Sequence, residues 1–192
     1  MNVTRKILTM TIAGMLSAIG IIIPMFSPIK FIMEPASFTL ASHVPIFIAM
    51  FISPAVTIFV AITTGFGFFM AGYPIVIVLR AMTHLIFALI GAYFLKKNKN
   101  ILLSFKTAIP FVLFLSLIHA VAEVIVSTIF YFGGQSEASY TFVVIGLVGV
   151  GTLIHSTIDF IIAVFVWVPM QKVISVPTNA RIKVAKPNKI SA

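Results

Sequence analysis

Residues Ser37 to Leu95 read SFTLASHVPIFIAMFISPAVTIFVAITTGFGFFMAGYPIVIVLRAMTHLIFALIGAYFL, and Arg80 is the only charged side chain among them. A helix that crosses a bilayer takes about 20 mostly apolar residues, rising about 1.5 Å per residue. The stretch is too long for two such helices. Prolines divide it. Pro54 stands behind Ser53, a candidate N-cap, and Pro74 stands behind the turn Gly72-Tyr73. Both are positions where proline suits the first turn of a helix. The reading is three consecutive spans, about Ser37–Ile52, Pro54–Ala71 and Pro74–Leu95.

The flanks extend the pattern. Ile7–Met25 is apolar, follows Arg5 and Lys6, and ends in the proline-containing stretch Pro24–Pro28. A basic start and an apolar middle also describe a secretory signal, but no small-x-small cleavage site before a polar mature start appears. It is read as an uncleaved helix. Lys96-Lys97-Asn98-Lys99-Asn100 is a polar loop, Thr107–Tyr131 a fifth span, Gly133–Ser139 another polar loop and Thr141–Val168 a sixth span. The tail, residues 171–192, is polar and basic. With no internal repeat and no composition break, residues 1–192 form one integral membrane domain.

Composition agrees. Of 192 residues, 60% are hydrophobic and 9% charged, with a mean hydropathy of +1.18. A soluble domain carries about a quarter charged residues and could not hide this much apolar surface. A soluble enzyme is excluded. The absence of cysteine excludes disulfides, thiolate catalysis, and cysteine-ligated zinc or iron–sulfur centres.

Lysine and arginine collect on the cytoplasmic side of membrane proteins. With six spans and an inner N-terminus, Arg5, Lys6, Lys96, Lys97, Lys99, Lys106, Lys172, Arg181, Lys183, Lys186 and Lys189 all fall inside. Lys30, Glu34 and Glu137 fall in the outer loops. The expected architecture is therefore an all-α bundle of six transmembrane helices, both termini cytoplasmic, in the cell membrane. The basic tail is read as setting orientation and touching anionic lipid in the bilayer, with no nucleic-acid partner.

An ionisable side chain at membrane depth costs about 2.5–3.5 kcal/mol and usually faces a partner or a cavity. Three spans carry such groups at i, i+4, on one helical face: Arg80 and His84, His119 and Glu123, His155 and Asp159. They imply a polar interior among the last three spans. At about 1.5 Å per residue, Arg80 lies about 9 Å and Glu123 about 12 Å below the outer end of its span. His155 and Asp159 lie about 20–27 Å from the outer end of theirs. Two readings stand for the outer group: an Arg80–Glu123 ion pair that only stabilises the bundle, or an outward pocket whose Arg80 receives an anionic small molecule. Guanidinium suits the second, being always charged and able to grip a carboxylate with two parallel hydrogen bonds. Arg80, His84, His119, Glu123, Tyr73 and His43 are the candidate substrate contacts. His155 and Asp159 are assigned a structural or gating role.

Gly65-Phe-Gly67, Gly72-Tyr73-Pro74 and Gly146-Leu-Val-Gly149-Val-Gly151 are read as helix-packing positions, with pocket lining the alternative. The outer segment Ser27–Ser42 is either a lid over a pocket or an ordinary loop. On the first helix, Ala13/Ser17 and Gly14/Ala18 form two overlapping small-xxx-small pairs, which permit close backbone approach. They serve packing within the chain or docking of another subunit.

Some chemistry is missing. There is no GxxxxGK[ST] phosphate loop and no HExxH, so the chain carries neither that ATPase motif nor that metal motif. No metal site and no cofactor of its own is predicted. Ser116 lies one turn from His119 and Ser156 directly follows His155, but closeness along the chain does not make a nucleophile.

Six spans, a small-residue motif on the first helix, a long first outer loop and a basic tail resemble the S-components of energy-coupling factor transporters. Those are substrate-capturing subunits of bacterial vitamin importers. More specific are Pro35-Ala-Ser-Phe-Thr-Leu-Ala-Ser-His-Val-Pro-Ile-Phe-Ile-Ala-Met-Phe-Ile-Ser-Pro54 and Phe69-Met-Ala-Gly-Tyr-Pro-Ile-Val-Ile-Val-Leu-Arg-Ala-Met-Thr-His84, which are similar to the niacin-type S-components. The family's first-helix motif is usually Ala-x-x-x-Ala, where this chain has Ala13-x-x-x-Ser17 and Gly14-x-x-x-Ala18. The resemblance implies capture of a vitamin, best matched by niacin, in a pocket of the last three spans and the outer loops. It also implies delivery by toppling within the membrane, and partners: a transmembrane T-component and two ATPase subunits that use the ATP. Niacin is a pyridine carboxylate, so Arg80 would take the carboxylate and His84 or His119 the ring nitrogen. The other readings are an S-component for another vitamin or precursor, a small intramembrane enzyme using a serine and a histidine, and a stand-alone facilitator.

Overall fold

Apolar runs bounded by proline, serine and lysine become helices of unequal length. The computed structural model describes residues 3–33, 35–133 and 139–182. Helix α1 (Val3–Phe26) leads into an antiparallel hairpin, β1 (Lys30–Met33) and β2 (Ala36–Thr39), then α2 (Val44–Ile52), α3 (Pro54–Met70) and α4 (Ile75–Lys97). A short 3-10 turn, Ile101–Leu103, precedes α5 (Phe105–Gly133). A ten-residue π-helix, Thr141–Val150, runs directly into α6 (Gly151–Val173). Helices α1, α4, α5 and the continuous coil Thr141–Val173 are long and apolar enough to cross a bilayer. Helix α3, with 17 residues, is shorter and equally apolar.

The expected span Ser37–Ile52 is not one helix. Its first part pairs as β2, with Phe31 opposite Phe38 and Lys30 opposite Thr39. The remainder is α2, only nine residues and about 13.5 Å long. Pro45 explains the late start. Proline lacks the N–H an interior helical position needs, so it is confined to the first turn. At the other end Ser53 adopts an extended conformation (φ −169°, ψ 159°) and its hydroxyl accepts from Val56 N–H at 3.3 Å, capping α3 behind Pro54. The predicted break at Ser53-Pro54 is therefore present, as is the turn at Gly72, where φ is +77°.

All nine residues of α2 are buried, so this short helix is the axis of the bundle. Around it stand Phe87 of α4 and Phe160 and Trp167 of α6. The Phe47–Phe160, Phe51–Phe160 and Phe51–Trp167 rings pack at 5.1, 5.6 and 5.5 Å. The surrounding helices turn large apolar side chains outward, among them Phe66, Phe105, Ile129 and Phe165. That much exposed hydrocarbon suits lipid rather than water.

The start of the tail is not the solvated segment its composition suggests. Asn179 and Ala180 donate their N–H groups to Phe51 O at 2.9 and 3.0 Å. Val176 and Ala180 are buried, and Gln171 bonds the backbone of Ile182 through both amide atoms. Residues 174–182 thus close the end of α2, whose last carbonyls would otherwise lack partners. Lys183, Lys186 and Lys189, with Glu34 and Glu137, lie outside the described residues.

Burial in protein and exposure to lipid predict different costs for the same truncation. Phe51→Ala should lower stability by about 3–5 kcal/mol through the cavity it leaves. Phe165→Ala, 74% exposed, should cost little because hydrocarbon replaces hydrocarbon. Thermal unfolding of both variants in one detergent checks this.

Candidate functional site

The chain has four histidines, far apart in sequence, and the structure gathers all of them. His43 caps α2, His84 stands on α4, His119 on α5 and His155 on α6. The His43 ring lies 4.6 Å from His84, 4.7 Å from His119 and 4.7 Å from His155, centre to centre. His43 Nε2 is 3.2 Å from His84 Nε2. The i, i+4 spacings on α4, α5 and α6 put one polar stripe per helix on a common face, as anticipated. Cap residue His43 joins the three.

Two carboxylates hold this group in place. Glu123 accepts from Arg80 Nη2 at 2.8 Å and from the Thr152 hydroxyl, while its other oxygen lies 3.3 Å from His119 Nε2 and 3.8 Å from His84 Nε2. The predicted Arg80–Glu123 pair is therefore formed, and both partners are buried. Arg80 has further work. It donates to the carbonyls of Pro35 and Ser37 and lies over the Phe38 ring, 5.7 Å from its centre. The guanidinium thus ties the hairpin to α4 and α5. Removing one partner of a buried ion pair strands the other, so these added contacts support both.

Asp159 performs the second task. Its two oxygens accept from Ala41 N–H at 2.7 Å and His43 N–H at 2.9 Å, and one lies 3.2 Å from His43 Nδ1 and 3.4 Å from His155 Nε2. Here a carboxylate from α6 meets the positive end of α2, where unpaired N–H groups point at an anion. Ala41 adopts φ 67°, a left-handed conformation that costs a non-glycine residue about 1–2 kcal/mol and turns the N–H groups onto Asp159.

The depth estimate that set His155 and Asp159 apart from the outer group is corrected by this arrangement. Two features bring them together. The i→i+5 coil of Thr141–Val150 is wider and shorter per residue than an α-helix, so His155 lies less deep than fourteen α-helical residues would put it. The outer segment also descends into the bundle to meet them. Phe38 of this segment contacts the His155 ring at 5.4 Å and sits against Gly151, where an added Cβ would lie 2.9 Å from its ring.

Beneath the hairpin is a cavity lined by Ser37, Phe38, Thr39, Ser42, His43, Phe68, Tyr73, Arg80, His84, Glu123 and His155, with Gly20 and Pro24 of α1. The expected pocket of the last three spans and the outer loops has its hairpin and α4 walls, but α1 and α3 contribute as well, and among the described residues α5 and α6 reach it only through Glu123 and His155. Tyr73 stacks on Phe68 at 4.9 Å at its edge, while His119 stands behind the wall. Ser37, Phe38, Ala41, Ser42 and Thr152 were not singled out from the sequence, where no charge or spacing distinguishes them.

On α1 the two small-residue pairs separate. Ala13 and Ser17 are buried, and Ser17 Oγ meets Thr63 Oγ1 of α3 at 2.5 Å. Gly14 and Ala18 face outward, with nothing among the described residues near where a Gly14 Cβ would stand.

Ser42 Oγ lies 3.2 Å from His155 Nε2, which invites a serine–histidine–aspartate reading. The geometry denies it. A relay needs the acid on one ring nitrogen and the serine on the other, whereas Asp159 and Ser42 approach the same Nε2. Ser116 bonds Thr157.

Asp159→Asn keeps the shape but presents an amide where two N–H groups need acceptors. With hydrogen bonds to a charged group worth about 1.5–3 kcal/mol, it should destabilise by about 2–3 kcal/mol or more. Ala41→Gly relaxes the strained turn and should raise stability by up to about 1 kcal/mol. Thermal unfolding of both variants reads the opposite signs.

No family model and no solved structure matches the chain significantly. It is 43% identical over 163 residues to the niacin transporter NiaX of Lactococcus lactis subsp. cremoris (strain MG1363). The alignment covers 82% of this chain and 72% of that protein. Likeness of that degree and coverage, over a bundle of apolar helices with a polar heart, identifies a multi-pass protein of the cell membrane devoted to transport rather than catalysis. The chain belongs to the family of this niacin transporter, the S-component family that its sequence resembles.

Proposed function

We propose that the protein is the substrate-capturing S-component of an energy-coupling factor importer for niacin. The observation that carries the substrate is the 43% identity to a niacin transporter. The cavity beneath the hairpin is chemically consistent with it: a pyridine carboxylate offers an anion for Arg80 and a ring nitrogen for His84, with Tyr73 and Phe68 as an aromatic wall. Among the described residues Arg80 Nε is buried without a hydrogen-bond partner, so a carboxylate would complete the guanidinium's set of donors. Drawing the guanidinium away from Pro35 and Ser37 would free the hairpin, which is how capture and lid movement would be linked.

In this reading the chain is one membrane domain of six passes with both termini cytoplasmic, α2 being a half-length pass completed on the outer side by the hairpin. The clustering of Lys96, Lys97, Lys99 and Lys106 between α4 and α5, with the tail closing the same end of α2 as α6, supports it. A T-component and two ATPases would supply energy, in keeping with the absence of a phosphate loop. The T-component would meet α1 on the outward Gly14/Ala18 face.

Nicotinic acid should bind the purified protein about 10- to 100-fold more tightly than nicotinamide, the difference being one charged hydrogen-bonded contact. The charge-balanced variant Arg80→Gln/Glu123→Gln should lose that factor for nicotinic acid and leave nicotinamide unchanged. Equal calorimetric affinities of wild type for the two ligands would refute the carboxylate assignment. Separately, Gly14→Leu/Ala18→Leu should abolish co-purification with the T-component while nicotinic acid still binds; retained co-purification would move docking elsewhere.

A further inference from the structure

We propose that His43, His84 and His119 form a site for one divalent transition-metal ion of the zinc type, with a fourth position open to the cavity. Each of the three offers one ring nitrogen, and these nitrogens lie within 4.8 Å of one another. Nitrogens on a tetrahedral zinc-like ion at about 2.0–2.1 Å stand about 3.3–3.4 Å apart. His43 Nε2 and His84 Nε2, at 3.2 Å, already have that separation. Bringing in the third nitrogen takes a movement of an ångström or so on one helix.

Three observations favour a cation over an imidazole cluster held by shared protons. His119 is fully buried; its Nε2 stands 3.3 Å from a Glu123 oxygen, and its Nδ1 has no hydrogen-bond partner among the described residues. A buried ring nitrogen left without a partner costs about 1–3 kcal/mol of desolvation, which coordination would relieve. Next, His43 Nδ1 stands 3.2 Å from the Asp159 carboxylate while Nε2 faces the cluster, the carboxylate–histidine–metal arrangement that orients a ligating ring. Finally, Glu123 lies beside His119 and His84, and with Asp159 it supplies two negative charges against the one of Arg80. A dication then leaves a single net positive charge, which suits an anionic fourth ligand entering from the cavity that His43 and His84 line. Imidazole donors select zinc, cobalt, nickel or copper over magnesium and calcium, which want oxygen.

The probe is Co²⁺, added to chelator-stripped wild type with no vitamin present, so the result is independent of the substrate reading. One equivalent should bind and give the intense visible absorption of tetrahedral, nitrogen-ligated Co²⁺, and Mg²⁺ should not compete. His84→Gln and His119→Gln should each weaken binding more than about 100-fold, since loss of even an outer partner costs about 10–100-fold. His155→Gln should retain it. His84 lies at the cavity wall and tolerates change best, so it decides the matter if His119→Gln is not monodisperse. Absence of a one-equivalent tetrahedral signal, or binding that survives His84→Gln and disappears in His155→Gln, overturns the site.

Discussion

A carboxylate on the sixth helix holds the amino end of the second, and the rest of the structure depends on that contact. Backbone that leaves a helix inside a membrane bundle must find hydrogen-bond partners in the protein, or each orphaned group costs several kcal/mol. Asp159 supplies them for Ala41 and His43. With those two N–H groups satisfied, the chain can abandon the helix between Thr39 and Val44, build a hairpin outside, and start a short α2 partway down. Asp159 and Pro45 together keep Ser37–Ile52 from running as one helix and leave room for the cavity beneath the hairpin. The same contact fixes His43 at the centre of the polar layer.

That polar layer rests on an aromatic floor. Phe47 and Phe87 approach the histidine rings, with Phe87 4.4 Å from His119, and Phe51, Phe160 and Trp167 follow below. A water-poor floor strengthens every electrostatic contact above it and leaves Glu123 and Asp159 little choice but to be paired. The two carboxylates divide the work: Asp159 secures the chain break, and Glu123 sets Arg80, which in turn grips the hairpin. Lid, cavity and cluster are thus one connected hydrogen-bonded unit, in which a ligand that competes for Arg80 would be sensed by the hairpin directly. Broken helices with their positive ends aimed at an anionic group are a recurrent solution in transport proteins.

Much of this was legible in the residues. The prolines at 54 and 74 mark helix starts that the structure has, and the three i, i+4 pairs point at one another because helical geometry leaves them no other common face. The charged exceptions in an apolar chain made an Arg80–Glu123 pair one of the two readings of the outer group. Hydropathy could not show the fate of Ser37–Ile52: a half-buried strand, a turn and a half-helix are as apolar as a span, and only Pro45 hinted at the late start. Depth counting set His155 and Asp159 apart because it assumed α-helical rise along a segment that holds a ten-residue π-helix and did not foresee residues 38–43 packing onto them. His43 was legible as a candidate contact, but its place at the centre of the cluster was not, since its partners stand 41, 76 and 112 residues away, spacings that carry no motif. The overlapping small pairs on α1 were visible, but which faced inward depended on Thr63 of another helix.

The central claim is that the Asp159-held turn and the hairpin form the substrate-responsive wall of the site. Hydrogen–deuterium exchange of the membrane-embedded protein, with and without nicotinic acid, tests it most directly. The account predicts strong added protection across residues 36–43, centred on the Ala41 and His43 amides, with α3 and the end of α6 unchanged. Saturating ligand that leaves residues 36–43 unprotected while slowing exchange elsewhere would contradict it.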